Sequence, residues 1–278
     1  MRLVARGRTD TPAPPGLGAA LDRLFATEGA LAVHLLAAED GAAELGPWFR
    51  ADPVHLLAGM HSVSLLDSRR FALGADEANA LVSALNSHFG DEARFVAPHP
   101  ERWYVRFEPA IDAVAPAVDE LAGVPVVPGL VTGPDATRLH RFAMEAQMLL
   151  HGLAVNEERE ERGELPVNGL WFWGGGVPRT PAAAFDRVWA DDFTARALAR
   201  AAGIERQAPP DRLAPAEGRT LAVLEAGVDP ERLDADWFAP SLAALKWGKL
   251  DTLVLEAPGP GGFSLRLGRR QAWKFWQR

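Results

Sequence analysis

The stretch that most restricts how this chain can fold is Gly169-Leu170-Trp171-Phe172-Trp173, followed at once by Gly174, Gly175 and Gly176. Adjacent aromatic residues favour an extended strand, and bulky rings on both of its faces require cover on both sides. Three glycines then let the backbone leave the strand through torsions that a side chain forbids. The strand is entered without a spacer from an apolar helical pattern and a charged segment, in the order MEAQMLLHGLAVNEEREERGELPVN over residues 144–168. In open α/β sheets, a strand ending in glycines often borders a ligand site.

With 278 residues the chain can bury a sizeable core, as one large domain or two ordinary ones. Its formal net charge of -8 argues against a general nucleic-acid binder, because neutralising phosphates needs surplus Lys and Arg. A local basic patch escapes that argument. There is no cysteine, which excludes disulfides, thiolate metal sites and thiol nucleophiles. No apolar run is long enough to span a membrane, and the opening MRLVARGRTDTPAPPG lacks the apolar centre of a secretory signal. No membrane partner and a cytoplasmic location are therefore expected.

Residues 2–6 read as a short strand and 9–18 as a Pro/Gly loop. Leu21, Leu24 and Phe25 share one face of a helix over 19–26, and the apolar run from Ala30 to Ala37 reads as a buried strand with His34 as a core histidine. Asp52-Pro53 opens the next segment, and residues 62–67 form a strand. Asp76 caps a helix whose Ala78, Leu81, Val82, Leu85 and Phe89 line one face before Gly90 stops it. Alternation predicts strands over 94–97 and 103–107 about His99-Pro100, so 52–107 reads as a compact α+β unit. The Pro- and Gly-rich stretch 109–137, with at most one short helix over 113–122, leads to a helix carrying Leu139, Phe142, Ala146 and Leu149 in one stripe that ends near Gly152.

Beyond the Trp strand, Asp192 caps a helix over 193–202 that Gly203 ends. Strands are expected over 220–225 and 251–256, with helices over 230–238 and 240–248 between them. A turn from Ala257 leads into 263–267, and 272–276 closes an antiparallel end. Alternating β and α elements favour a largely parallel sheet in this half.

His151, Val155, Asn156, Arg159, Gly163, Pro166, Val167 and Asn168, followed by the apolar strand, the Gly-rich turn and Pro178, resemble a run of the form HPVNxxRxxxGxxPAN. That run belongs to the archaeal-type cofactor-independent phosphoglycerate mutases of the alkaline phosphatase superfamily. The form with a Trp-rich strand and triple glycine is more specifically similar to bacterial RpfE-like regulatory proteins. The segments DPVHLLAG, ALNSHF and RWYVRF follow the order of the mutases' inserted substrate-binding domain, so the resemblance covers about residues 50–185. It implies an α/β fold: a partial alkaline-phosphatase-like, largely parallel sheet over 1–50 and 165–278, with an inserted α+β unit over 51–164.

The resemblance also implies two divalent metals held by carboxylates and histidines, beside a Ser or Thr that accepts the phosphoryl group. This chain departs from that pattern. No DGxGD-like segment opens it, and no histidine follows His151. Leu57 and Gly59 stand where the mutases place an arginine and an asparagine for phosphoglycerate, and Arg106 is the candidate at their second arginine. A leucine cannot replace the paired, charge-assisted contact of a guanidinium. Asp10-Thr11 reads as a turn, and His55 and His61 lack helical ligand spacing.

Asn156, Arg159, Arg162 and Asn168 are candidates for a polar rim about an anion, with the amides of Gly174, Gly175 and Gly176 as added donors and Arg179 as a further phosphate ligand. The same residues also read as a solvated helix capped by Asn156, with the Glu run as its exposed face and Arg179 paired to Asp186. Trp171 and Trp173 read as core. The glycine run has neither the Walker lysine pattern nor GxGxxG spacing, and no Gly-x-Ser-x-Gly elbow occurs.

The resulting expectation is a phosphoglycerate-mutase-like protein without a dimetal site, a noncatalytic regulatory or binding protein with no catalytic residue, metal or cofactor, that binds an anionic small molecule or a protein partner. One rival is a metal-dependent phosphoglycerate mutase or phosphatase with rearranged carboxylate ligands. The other is a nucleic-acid accessory protein that uses the tail SLRLGRRQAWKFWQR, which reads otherwise as an amphipathic edge hairpin.

Overall fold

The computed structural model describes residues 15–40, 46–59, 63–121, 125–126, 129–214, 217–225, 227–259 and 261–273. The expected strand over 2–6, most of the loop over 9–18, the Asp10-Thr11 pair and His61 lie outside them. Two compact units are present, Leu21–Ala183 and Ala184–Arg278, the latter taken with Met1–Ala20.

The helix expected over 19–26 is α1 (Leu17–Phe25), and it is followed by α2 (Ala32–Asp40). The Ala30 to Ala37 run is thus mostly helical, where the sequence suggested a strand. Its Ala and Leu residues are strong helix formers, and an apolar run buried all round has no period that separates the two states. Ala32, Val33, Leu35 and Leu36 are all buried.

β1 (Trp48–Ala58) runs straight through Asp52-Pro53, the point expected to open a segment, and is followed by β2 (Val63–Asp67). Then come α3 (Ala75–Phe89), β3 (Ala93–His99), β4 (Arg102–Phe107), β5 (Pro125–Val126), α4 (Ala136–His151), α5 (Ala154–Glu161) and β6 (Gly169–Trp173). One antiparallel sheet joins these strands in the order β3-β4-β1-β2-β5, with β6 on β1. β4 pairs with β1 as far as Arg50 and β2 takes over from Val54, so Pro53 falls in the gap between them. A residue without an N–H fits where no neighbour on that side needs one.

Alternation divides the sheet into two faces. Phe49, Ala51, Phe95, Trp103, Val105, Phe107, Leu170 and Phe172 share one core with the buried stripes of α3 and α4. Phe107 is at its centre, with ring centroids 4.8 Å from Phe142, 5.5 Å from Phe172 and 5.6 Å from Phe49. On α3 the buried residues are the five expected, and Gly90 leaves the helix at φ 55. On α4 the stripe ends on buried Leu150 where Leu149 was expected, a difference of one position that the helical period absorbs.

The Trp strand therefore belongs to this antiparallel sheet, where the sequence reading placed it in a parallel α/β core. The boundaries fall at 20/21 and 183/184, because β6 is hydrogen-bonded along β1 from Arg50↔Trp173 to Val54↔Gly169.

In the other unit, β7 (Arg187–Ala190), α6 (Phe193–Ala201), β8 (Glu205–Gln207) and β9 (Thr220–Val223) form a parallel sheet in the order β8-β7-β9. Asp192 caps α6 as expected, accepting from the Ala195 N–H at 2.8 Å. α7 (Pro230–Leu233) continues through a π-helical turn over Asp234–Phe238 into α8 (Ala239–Lys246). β10 (Thr252–Ala257) and β11 (Phe263–Gly268) form an antiparallel hairpin, and α9 (Arg269–Ala272) follows it. The strand expected over 272–276 is replaced at Ala272 by helix, and its residues from Lys274 on lie outside the described residues. The molecule is a mixed α/β protein in which, among the described residues, parallel pairing is confined to three strands. Among the described residues no helix is long and apolar enough to cross a membrane.

Candidate functional site

The run that leads into the Trp strand is held by side chains that imitate backbone. Asn156, buried, donates from Nδ2 to the carbonyls of Leu150 (2.7 Å) and Val167 (2.8 Å), and its Oδ1 accepts from the Val167 N–H at 2.9 Å. It therefore ties the end of α4 to the approach to β6 and does not cap α5, whose N-cap position is Leu153. Asn168 accepts from the Leu56 N–H at 2.6 Å and donates to the Leu56 carbonyl at 3.1 Å, extending the β1–β6 ladder by one pair. His55, on the same strand, donates from Nδ1 to the Pro166 carbonyl at 2.8 Å.

Arg159 is 1% exposed, and its guanidinium is consumed inside the fold. Nε donates to the Leu165 carbonyl at 2.9 Å, one terminal nitrogen to Glu77 at 2.7 Å and the other to the Ala72 carbonyl at 3.0 Å. Arg162 reaches the same Glu77 at 2.5 Å and Glu164 at 2.9 Å from a half-exposed position. Partial burial pushes the Glu77 carboxyl up, but the Gly74 N–H and the two guanidiniums outweigh it and hold the group below the usual carboxylate range.

The triple glycine packs as tightly as its sequence suggests, though against protein. A Cβ on Gly175 would lie 2.2 Å from the Phe49 ring, and Gly174, at φ 67, gives its carbonyl to the Ala32 N–H at 2.9 Å. Arg179 pairs with Glu28 at 2.9 Å on the surface, while Asp186 accepts from the Arg219 N–H. The eight candidate residues thus fall into separate tasks. Asn156, Arg159 and Arg162 brace α5, Asn168 splices a ladder, Gly174, Gly175 and Gly176 turn under α2, and Arg179 makes a surface pair.

The sheet face opposite the aromatic core carries polar groups that sequence reasoning missed. Arg50 and Asp52, two apart on β1, form a buried ion pair. Trp173 Nε1 donates to the other oxygen of Asp52 at 2.5 Å, and the Tyr104 hydroxyl accepts from Arg50 at 3.4 Å. The guanidinium carbon lies 5.0 Å from the Tyr104 ring centroid and 5.7 Å from that of Trp173. Burial raises the Tyr104 pKa, and although it disfavours the Arg50 cation, Asp52 and Tyr104 more than restore it. With both oxygens engaged, Asp52 is a structural counter-ion. The signal was available in the pattern Arg50-x-Asp52 within an otherwise apolar strand.

A groove of about 720 Å³ opens at β3, the end strand of the sheet, lined in part by Asn86, Asp91, Arg94, Val96, Arg106 and Glu108. Arg94 and Arg106 stand directly opposite each other in the β3–β4 register. Asp91 and Glu108 bring carboxylates into the same lining. Arg106 is the residue to which the family resemblance pointed. Arg94 carried no such signal. Among the described residues, no three His, Cys, Asp or Glu side chains are grouped to hold a metal ion.

No family model matches this chain, and no curated protein matches it. Among solved structures it is similar to the cofactor-independent phosphoglycerate mutase from Thermoplasma acidophilum DSM 1728, with 16% identity, 94% of this chain and 87% of that chain covered, and a TM-score of 0.38. It is similar also to the PH0037 protein from Pyrococcus horikoshii, with 15% identity, 89% and 73% of the two chains covered, and a TM-score of 0.43. At these identities and scores no residue role is transferred from either.

Proposed function

We propose that this chain is a phosphoglycerate-mutase-like binding protein without mutase turnover, and that its ligand is a small anion carrying a carboxylate or phosphate. The observation that carries the reading is Arg159. In the motif on which the resemblance rests, the guanidinium best suited to an anion is sealed from solvent and spent on Glu77 and two carbonyls. The motif here is a brace. The sequence supports the same reading, because no histidine follows His151 to complete the clustered Asp and His metal set that the resemblance implies.

The groove at Arg94 and Arg106 is the place for the ligand, and its volume of about 720 Å³ is within the usual span of small-molecule sites, roughly 300–1,000 Å³. The test is to load the purified protein with manganese or zinc, desalt it, count the retained metal, and assay phosphoglycerate turnover while titrating phosphoglycerate calorimetrically. The expected result is no stoichiometric metal pair, no turnover and saturable binding. Two retained metal equivalents with turnover would reject the reading in favour of a working mutase or phosphatase with rearranged ligands.

A further inference from the structure

The chain's charge is strongly segregated. Residues 246–278 contain seven Lys and Arg against Asp251 and Glu256, a net charge of +5 within a chain of net -8, so the preceding residues carry the compensating -13. The described part of this segment folds so that two tryptophans distant in sequence meet amid those cations. Trp247 is 74% exposed at the end of α8, and Trp273 is 44% exposed just after α9. Their ring centroids are 6.4 Å apart at an interplanar angle of 77°. The Lys246 ammonium lies 5.9 Å from the Trp273 centroid, and the Arg269 guanidinium covers Gly248, 3.3 Å from where a Cβ would stand. Lys249 and Arg270 are exposed beside them in sequence. Beneath this surface, Leu245, Leu265, Leu267 and Ala272 form a buried cluster that holds α8, the hairpin and α9 together.

We infer that this surface binds single-stranded nucleic acid, with the exposed Trp247 ring stacking on a base and the cations of Lys246, Lys249, Arg269 and Arg270 engaging phosphates. Exposed tryptophans among cations are the chemistry by which strands are held without sequence preference, since every base has a π-face. A duplex offers no unstacked base to such a ring. An anionic bilayer draws on the same cations and rings, and the test below separates it from a strand. The edge-hairpin alternative for the tail does not apply to residues 269–272, which are helical.

The test is fluorescence anisotropy of a labelled oligothymidylate with the full chain. Saturable binding is expected, weakening about fiftyfold between about 50 mM and about 200 mM salt if four phosphates are neutralised on a single strand. Trp247→Ala should weaken it about tenfold or more, the scale of one lost base stack. The pair Lys249→Glu with Arg270→Glu should abolish it, and both variants should melt like the parent because the altered side chains are exposed. No binding at the lower salt, or binding that neither variant reduces, overturns the inference. So does sedimentation with phosphatidylserine vesicles in the absence of oligonucleotide binding, which would assign the surface to lipid.

Discussion

Arg159 is the residue whose removal separates a brace from a ligand site. Arg159→Ala would leave Glu77 without its buried partner and two carbonyls without donors, and breaking a buried pair in this way costs about 3–5 kcal/mol. Arg162→Ala, at the half-exposed arm of the same cluster, should cost clearly less. Urea denaturation of the two variants decides it, and equal losses would remove the brace. Asp52→Asn should cost a similar 3–5 kcal/mol or so, because it strands the Arg50 charge inside the protein. Gly175→Ala drives a methyl into the Phe49 ring, and overpacking of that kind costs about 1–3 kcal/mol or more, read as a fall in the denaturation midpoint.

At the scale of elements, α3 and α5 are joined through one carboxylate, so acid should loosen that contact. The Glu77 pKa is depressed in the folded chain, which means that its contribution is fully present above the unfolded value of about 4.3 and is lost as pH falls through the folded value. His34 acts in the same direction earlier. Its burial lowers the imidazole pKa, a backbone hydrogen bond with Arg179 offsets this only in part, and stability falls as pH drops below about 6.5. Melting temperatures of Glu77→Gln and the parent should therefore converge toward acid pH while remaining apart at neutrality. A gap that stays constant to the lowest pH at which the chain is folded would show that Glu77 carries no such linkage.

For the molecule as a whole, the decisive measurement is ligand binding at the Arg94 and Arg106 groove. Hydrogen bonds to charged groups contribute about 1.5–3 kcal/mol each, so Arg94→Gln or Arg106→Gln should weaken phosphoglycerate binding by about tenfold or more in calorimetry, with far-UV circular dichroism unchanged. Unaltered affinity in both variants would place any anion elsewhere. The acidic remainder of the chain repels nucleic acid, so of the two proposed binding surfaces the basic, aromatic end is expected to be the more sensitive to ionic strength.

Local pattern was enough for α3 with its five-residue stripe, for α4, for the Asp192 cap and for a Trp strand ending in glycine, because helical period, capping chemistry and aromatic alternation act within a few residues. Pattern alone did not show that Ala32 to Ala37 winds into a helix, that β1 continues through Pro53, or that β6 pairs antiparallel with β1. Each depends on which distant neighbour supplies cover or hydrogen bonds. The same holds for function. Asn156, Arg159 and Asn168 are polar residues in a motif whichever way they point, and only the arrival of Leu150, Val167, Glu77, Ala72, Leu165 and Leu56 made them internal. Whether a donor meets a ligand or its own backbone is set by what tertiary packing places within about 3 Å of it, and no local sequence pattern records that distance.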